Sequence, residues 1–93
     1  MAERPAWTFL TSHASVLLEV ARAPDATVRE IAARSDLTER QAHRVLADLV
    51  DAGYIERQRH GRRNRYRVNA ALPLRRSSVA DRRVGELLEA LSR

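Results

Sequence analysis

Between positions 10 and 52 the apolar residues recur at helical spacing, and after Gly53 the period changes to alternation. Leu10, Ala14, Leu17, Leu18 and Ala21 follow one face of a first helix that begins at Thr11 or Ser12 and ends before Pro24. Trp7 and Phe9 precede it and read as apolar anchors of the core. After the Asp25-Ala26 turn, Thr27-Val28-Arg29-Glu30 has the form of a capping box, opening a short second helix from Val28 to about Arg34 with Val28, Ile31 and Ala32 inward. Ser35-Asp36 stops it, because both side chains compete with the helical ladder, and Leu37 plugs the turn. Thr38-Glu39-Arg40-Gln41 is a second capping box, for a third helix whose core face is Ala42, Val45, Leu46 and Leu49 and whose stop is Gly53.

Beyond Gly53, Ile55 on one strand and Tyr66 and Val68 on another flank the tip His60-Gly61-Arg62-Arg63-Asn64, which predicts a hairpin. Pro73 interrupts that pattern. Ser77 or Ser78 then caps a final helix of roughly 78–92, on which Val84, Leu87, Leu88 and Leu91 form an i, i+3, i+4, i+7 stripe. The expected fold is mainly α with a small β-hairpin: a three-helix core, the hairpin, and a C-terminal helix. Residues 1–72 form the main unit, and 73–93 carry a helix whose stripe is expected to pair two copies of the chain.

Composition supports helices. The hydrophobic share is 44%, but fifteen of those residues are Ala and the aromatic share is 4%, too little for an aromatic-rich sheet. At 93 residues the chain buries about 60–65% of its unfolded surface, which leaves room for one small core. No cysteine is present, so disulfides and thiolate metal ligands are excluded. Neither a bilayer-spanning apolar run nor an apolar leader after Met1-Ala2-Glu3-Arg4-Pro5 occurs, so the expected location is cytoplasmic, away from membranes.

Charge changes the picture more than composition does. The net charge is +5 and all seventeen cations are Arg. Residues 1–35 are balanced and residues 36–52 carry a net −2, whereas residues 53–72 hold six Arg against Glu56 alone. Guanidinium groups crowded onto one hairpin repel one another without helping it fold, and a polyanion relieves that repulsion. Duplex DNA is the expected partner.

A short helix, a tight turn with an apolar plug and a longer helix with a polar opening make a helix-turn-helix, whose second helix enters the major groove by its N-terminal half. Arg40, His43, Arg44 and Ala47 project away from the buried stripe, and Arg40 and Arg44 lie one turn apart on the same face. Both suit guanine or phosphate; Gln41 at the border suits adenine when its cap does not consume it. Thr27, at the start of the second helix, is a candidate phosphate contact.

The order capped short helix, capped longer helix ending in Leu49-Val50-Asp51-Ala52-Gly53-Tyr54-Ile55, then an Arg-rich hairpin resembles the winged helix-turn-helix of MarR-type and ArsR-type regulators, over roughly residues 9–70. The resemblance implies a sequence-specific transcriptional regulator, with the stretch 37–68 as recognition helix, turn and wing. It implies base contacts from Thr38, Arg40, Gln41 and Arg44 and wing contacts from Arg62, Arg63 and Arg65. Arg59, His60 and Asn64 complete the candidate wing surface, and His43 shares the base-reading face. A homodimer through Val84, Leu87, Leu88 and Leu91 would bring two such readers to successive half-sites.

The sequence departs from metal-sensing relatives of that kind. His13, His43 and His60 fall on three different elements, so no metal and no cofactor is expected. His13 reads as a partly buried histidine with a satisfied ring nitrogen. Asp36, Glu39, Asp48 and Asp51 read as helix-end and helix-surface charges, and no nucleophile, phosphate loop or acid-base grouping points to an enzyme. No effector-binding pattern is legible. The competing function class is a winged-helix protein-interaction module, which has no need of so basic a wing.

Overall fold

The computed structural model describes residues 5–92; the expectations that touch Met1 to Arg4 and Arg93 lie outside the described residues. Four α-helices and one hairpin follow in the order α1 (Ser12–Arg22), α2 (Val28–Arg34), α3 (Glu39–Asp51), β1 (Ile55–His60), β2 (Arg63–Val68) and α4 (Val84–Leu91), with a single 3-10 turn at Ser77–Val79.

Each of the first three helices starts where a threonine hydroxyl replaces a missing carbonyl. Thr11 accepts from the Ala14 N–H, Thr27 from Glu30 and Thr38 from Gln41. Both capping boxes expected from the sequence close: Thr27 N–H donates to Glu30 Oε1 at 2.9 Å, and Thr38 N–H donates to Gln41 Oε1 at 2.9 Å. The turn between α2 and α3 is set by Leu37 N–H reaching back to the Ala32 carbonyl at 2.9 Å, with Asp36 in the left-handed region at φ 55°. Leu37 packs against the core, as the plug requires.

The core draws on every helix. Ile31, Ala42, Val45, Leu46 and Leu49 are buried as their helical spacing demands. Helix α1 differs from expectation: its buried face is Val16, Leu17, Leu18 and Val20, whereas Ala21 is exposed and Leu10 only half-buried. Four large residues in five positions need cover on more than one side, and α2, α3, β2 and α4 all pack against α1. Trp7 and Phe9 also depart from expectation. They are 68% and 92% exposed rather than core anchors, and they stack edge to face with ring centroids 4.9 Å apart.

The hairpin is tighter than its sequence reads. Register runs from Ile55 opposite Val68 to His60 opposite Arg63, so the turn is Gly61-Arg62 alone, and Arg63 and Asn64 belong to the strand. Gly61 takes φ +62° at the first turn position while Arg62 does not enter the left-handed region, which is the type II′ requirement. Tyr66, buried, donates its N–H to the Pro24 carbonyl at 3.1 Å and so hangs the hairpin on the α1–α2 turn. Buried Tyr54, at the hairpin's base, gives its hydroxyl proton to the Pro73 carbonyl.

The C-terminal helix is shorter than expected. Its expected first part is not α-helical: Ser77–Val79 form the 3-10 turn, Arg82 O accepts from Leu74, and Arg83 bridges to Pro73. The helix starts at Val84 only when Val84 N–H and Gly85 N–H reach the Leu72 and Ala70 carbonyls, at 2.8 and 3.0 Å. Arg22 Nη2 holds its far end by donating to the Leu91 carbonyl at 2.9 Å. Val84 and Leu88 are buried in the protein's own core, 5% and 7% exposed. That corrects the expected pairing stripe: only Leu87 and Leu91 remain half-buried on its accessible side.

Candidate nucleic-acid interface

On α3 the core residues Ala42, Val45, Leu46 and Leu49 leave the other side of the helix to Arg40, Gln41, His43, Arg44 and Ala47, all exposed. Arg40 and Arg44 are four residues apart and no carboxylate among the described residues pairs with either. Glu39, their acidic neighbour, is drawn toward α2 by Arg29 at 4.0 Å. Asp48, further along, takes the His13 ring at 2.8 Å, both side chains about half exposed. Two of the three acids of α3, Glu39 and Asp48, are thus occupied beside two cations that are not.

Gln41 and Thr38 are less available than the sequence allows. The Gln41 carboxamide oxygen accepts from Thr38 N–H at 2.9 Å, and the Thr38 hydroxyl accepts from Gln41 N–H at 3.1 Å. A bidentate adenine contact uses both the oxygen and the nitrogen of a carboxamide, so it would have to share the oxygen that the cap already uses. Thr27 is engaged in the same way: its N–H donates to the Glu30 carboxylate and its hydroxyl accepts from the Glu30 N–H. Hydrogen bonds from Thr27, and to a lesser degree the nearby Arg34 and Arg63 charges, hold the Glu30 carboxyl below its ordinary range, so it stays anionic there.

In the hairpin, opposite residues share a face. The face that carries Ile55, Tyr66 and Val68 into the core ends in Arg57, Arg59 and Asn64; the other carries His60, Arg63, Arg65 and Arg67 with Glu56 and Gln58. All six arginines are exposed. They are not equivalent. Arg63 Nη2 donates to the Asp25 carbonyl at 2.9 Å, Arg65 Nε lies 3.4 Å from Asp25 Oδ1, and Arg59 Nε donates to the Gly61 carbonyl at 3.2 Å. Arg62, at the turn, has no such tether among the described residues. The Asp25 attachment is the feature sequence reading missed. A lone acid in the α1–α2 turn is the only signal of it, and nothing local connects that acid to a strand 38 residues away.

Among the described residues no cluster of three or more His, Asp or Glu is arranged to hold a metal, and no helix is long and apolar enough to cross a membrane. A family model described as MarR family matches residues 8–65, which takes in α1, the helix-turn-helix and the hairpin into β2. No curated protein matches the chain.

Proposed function

The chain belongs to the MarR family, whose members are DNA-binding transcription regulators and in general not enzymes, and on that premise we propose that it reads particular sequences in duplex DNA as a homodimer. Helix α3 enters the major groove, where Arg40 and Arg44 contact guanine edges and His43 borders them. The wing lies on the phosphate backbone or in the minor groove, led by Arg62 and supported by Arg63, Arg65, Arg59, His60 and Asn64. Residues 1–72 act as the reading head, and the segment 73–93 contributes pairing through Leu87 and Leu91.

The observation that carries this reading is the state of Arg40 and Arg44. Two guanidinium groups stand one turn apart on the exposed face of a helix locked at its start by a capping box and along its length by core burial. A rigid helix presenting unpaired, forked donors costs little backbone order when it meets a base edge, and leaves only the freedom of the two side chains to be given up.

Selection of bound sequences from a random duplex pool tests it. A recovered motif with two related half-sites supports the reading. Recovery of no motif, together with random-duplex binding that does not change with salt, overturns it in favour of a protein-interaction module.

A further inference from the structure

Sequence spacing makes Ser77 or Ser78 the cap of the last helix, but neither serves there. That helix starts at Val84, and the Ser77 and Ser78 hydroxyls are exposed and form no hydrogen bond among the described residues. The two serines instead stand midway along a surface loop whose ends are pinned: Leu74 N–H donates to the Arg82 carbonyl at 2.9 Å, and Pro73 bridges to Arg83. That closure sets Arg75 and Arg76 on one arm of the loop and Arg82 and Arg83 on the other, all four exposed. Glu86 takes Arg82 at 3.1 Å, and among the described residues no carboxylate pairs with Arg75, Arg76 or Arg83. Three unpaired guanidinium groups thus flank two serine hydroxyls for which the fold has no use.

We propose that Ser78 is a phosphorylation site, served by a serine kinase that selects arginine ahead of its target. The order Arg75-Arg76-Ser77-Ser78-Val79 carries the choice of residue. In an extended peptide alternate side chains share a face, so Arg76 lies on the same side as Ser78 and Arg75 on the other, where carboxylates of a kinase cleft can hold both. Ser78 has Ser77 as a small spacer between its hydroxyl and the two cations; Ser77 has none. Extending the segment breaks only turn bonds, from Val79 N–H to Arg76 O, Ala80 N–H to Ser77 O and Arg82 N–H to Val79 O, and none of residues 75–83 is buried. In the reaction Ser78 Oγ attacks the γ-phosphorus of magnesium-bound ATP, the bond from that phosphorus to the bridging oxygen breaks, ADP leaves, and the hydroxyl proton passes to a carboxylate of the kinase. The product suits the loop better than the serine does. Phosphoserine brings about −1.5 to −2 charges at pH 7 and three acceptor oxygens, and Arg75, Arg76 and Arg83 offer it donors from both arms. A duplex backbone is a poorer partner for this cluster, because Arg75 shares its surroundings with Asp48 and Asp51 at the C-terminal end of α3. A polyanion lying there would meet those carboxylates, and a single phosphate on Ser78 need not.

The test incubates the full chain with magnesium ATP and a purified serine kinase selective for arginine two and three residues before its target, read by intact mass and peptide fragmentation. One phosphoryl group on Ser78 is expected, kept in Ser77→Ala, absent in Ser78→Ala, and added about tenfold more slowly when Arg75→Gln and Arg76→Gln are combined. The phosphorylated chain is expected to melt higher than the unmodified one at low salt, with the difference closing as salt rises. That gain should shrink in Arg83→Gln, which leaves the residues ahead of Ser78 intact. No incorporation, incorporation on another serine, or an unchanged Tm after modification overturns the proposal. So does a rate indifferent to Arg75 and Arg76; if their loss instead weakens random-duplex binding and flattens its salt dependence, the loop is a polyanion contact.

Discussion

Arg63 donates from its guanidinium to the backbone carbonyl of Asp25, 2.9 Å away, and so ties the second strand of the wing to the turn in front of the helix-turn-helix. With Arg65 on the Asp25 carboxylate and Tyr66 N–H on the Pro24 carbonyl, three contacts from β2 fix where the hairpin leaves the core. The wing arginines therefore divide into those that hold the wing and those that extend from it.

Arg62 and Arg63 are consequently expected to behave differently when truncated. Arg62→Ala should weaken binding to all duplexes by similar factors and flatten the salt dependence by about one unit, the mark of one lost phosphate contact. Arg63→Ala should do the same and also loosen the hairpin, seen as faster amide hydrogen exchange in β2. Identical exchange in the two variants would show that the Asp25 contact does not hold the wing.

Arg40→Ala and Arg44→Ala are each expected to cost about 1–3 kcal/mol on the preferred site and to relax discrimination at one base pair per half-site. Thermal stability should be unchanged, because both side chains point away from the core. Gln41→Ala should act mainly on stability, by about 1 kcal/mol through the lost cap, with little change in base preference. Fluorescence anisotropy on single-substituted duplexes separates these outcomes.

The Glu30 cap should make stability fall in acid. Its carboxyl titrates below the ordinary 4.5 in the folded chain because Thr27 hydrogen bonds favour the anion. A lowered folded value contributes stability that is fully present above the ordinary value and disappears as pH falls from about 4.5 through the lowered one. Glu30→Gln keeps a neutral acceptor at the same place, so its stability should be flatter between pH 5 and pH 2, roughly the range in which carboxyls titrate. Denaturant titrations of both proteins across that range decide it; parallel curves would remove Glu30 from the acid response.

Gly85 is where α4 touches the end of the hairpin most closely. A Cβ there would stand 2.8 Å from Ala70 Cβ and 3.0 Å from the Ala70 carbonyl oxygen, and backbone cannot step aside as a flexible side chain can. Gly85→Ala is expected to lose about 1–3 kcal/mol to overpacking, more than the roughly 1 kcal/mol that alanine gains over glycine within a helix. For a domain of this size that is a fall of several degrees in Tm, readable by calorimetry. An unchanged or raised Tm would mean α4 stands further from Ala70.

Sequence alone determined what depends on neighbours a few residues apart. The boundaries of α1, α2 and α3, both capping boxes and the switch to a hairpin after Gly53 follow from apolar spacing and from side chains that bond to backbone three positions away. The exposed set on α3 follows from the same period, and the family match over residues 8–65 covers that legible stretch. Tertiary structure decided everything that joins distant segments. Only the fold could show that Val84 and Leu88 complete the protein's own core, that Arg82 and Arg83 bond to the segment around Pro73 rather than to a helix, and that Asp25 receives Arg63 and Arg65. Trp7 and Phe9 make the same point in reverse. Their apolar character predicts burial, but the core had already been filled by Val16 and Val20, residues the one-face reading of α1 passed over. Hydrophobicity states that a side chain favours cover; which surface is left to provide it is settled by the packing of the whole chain.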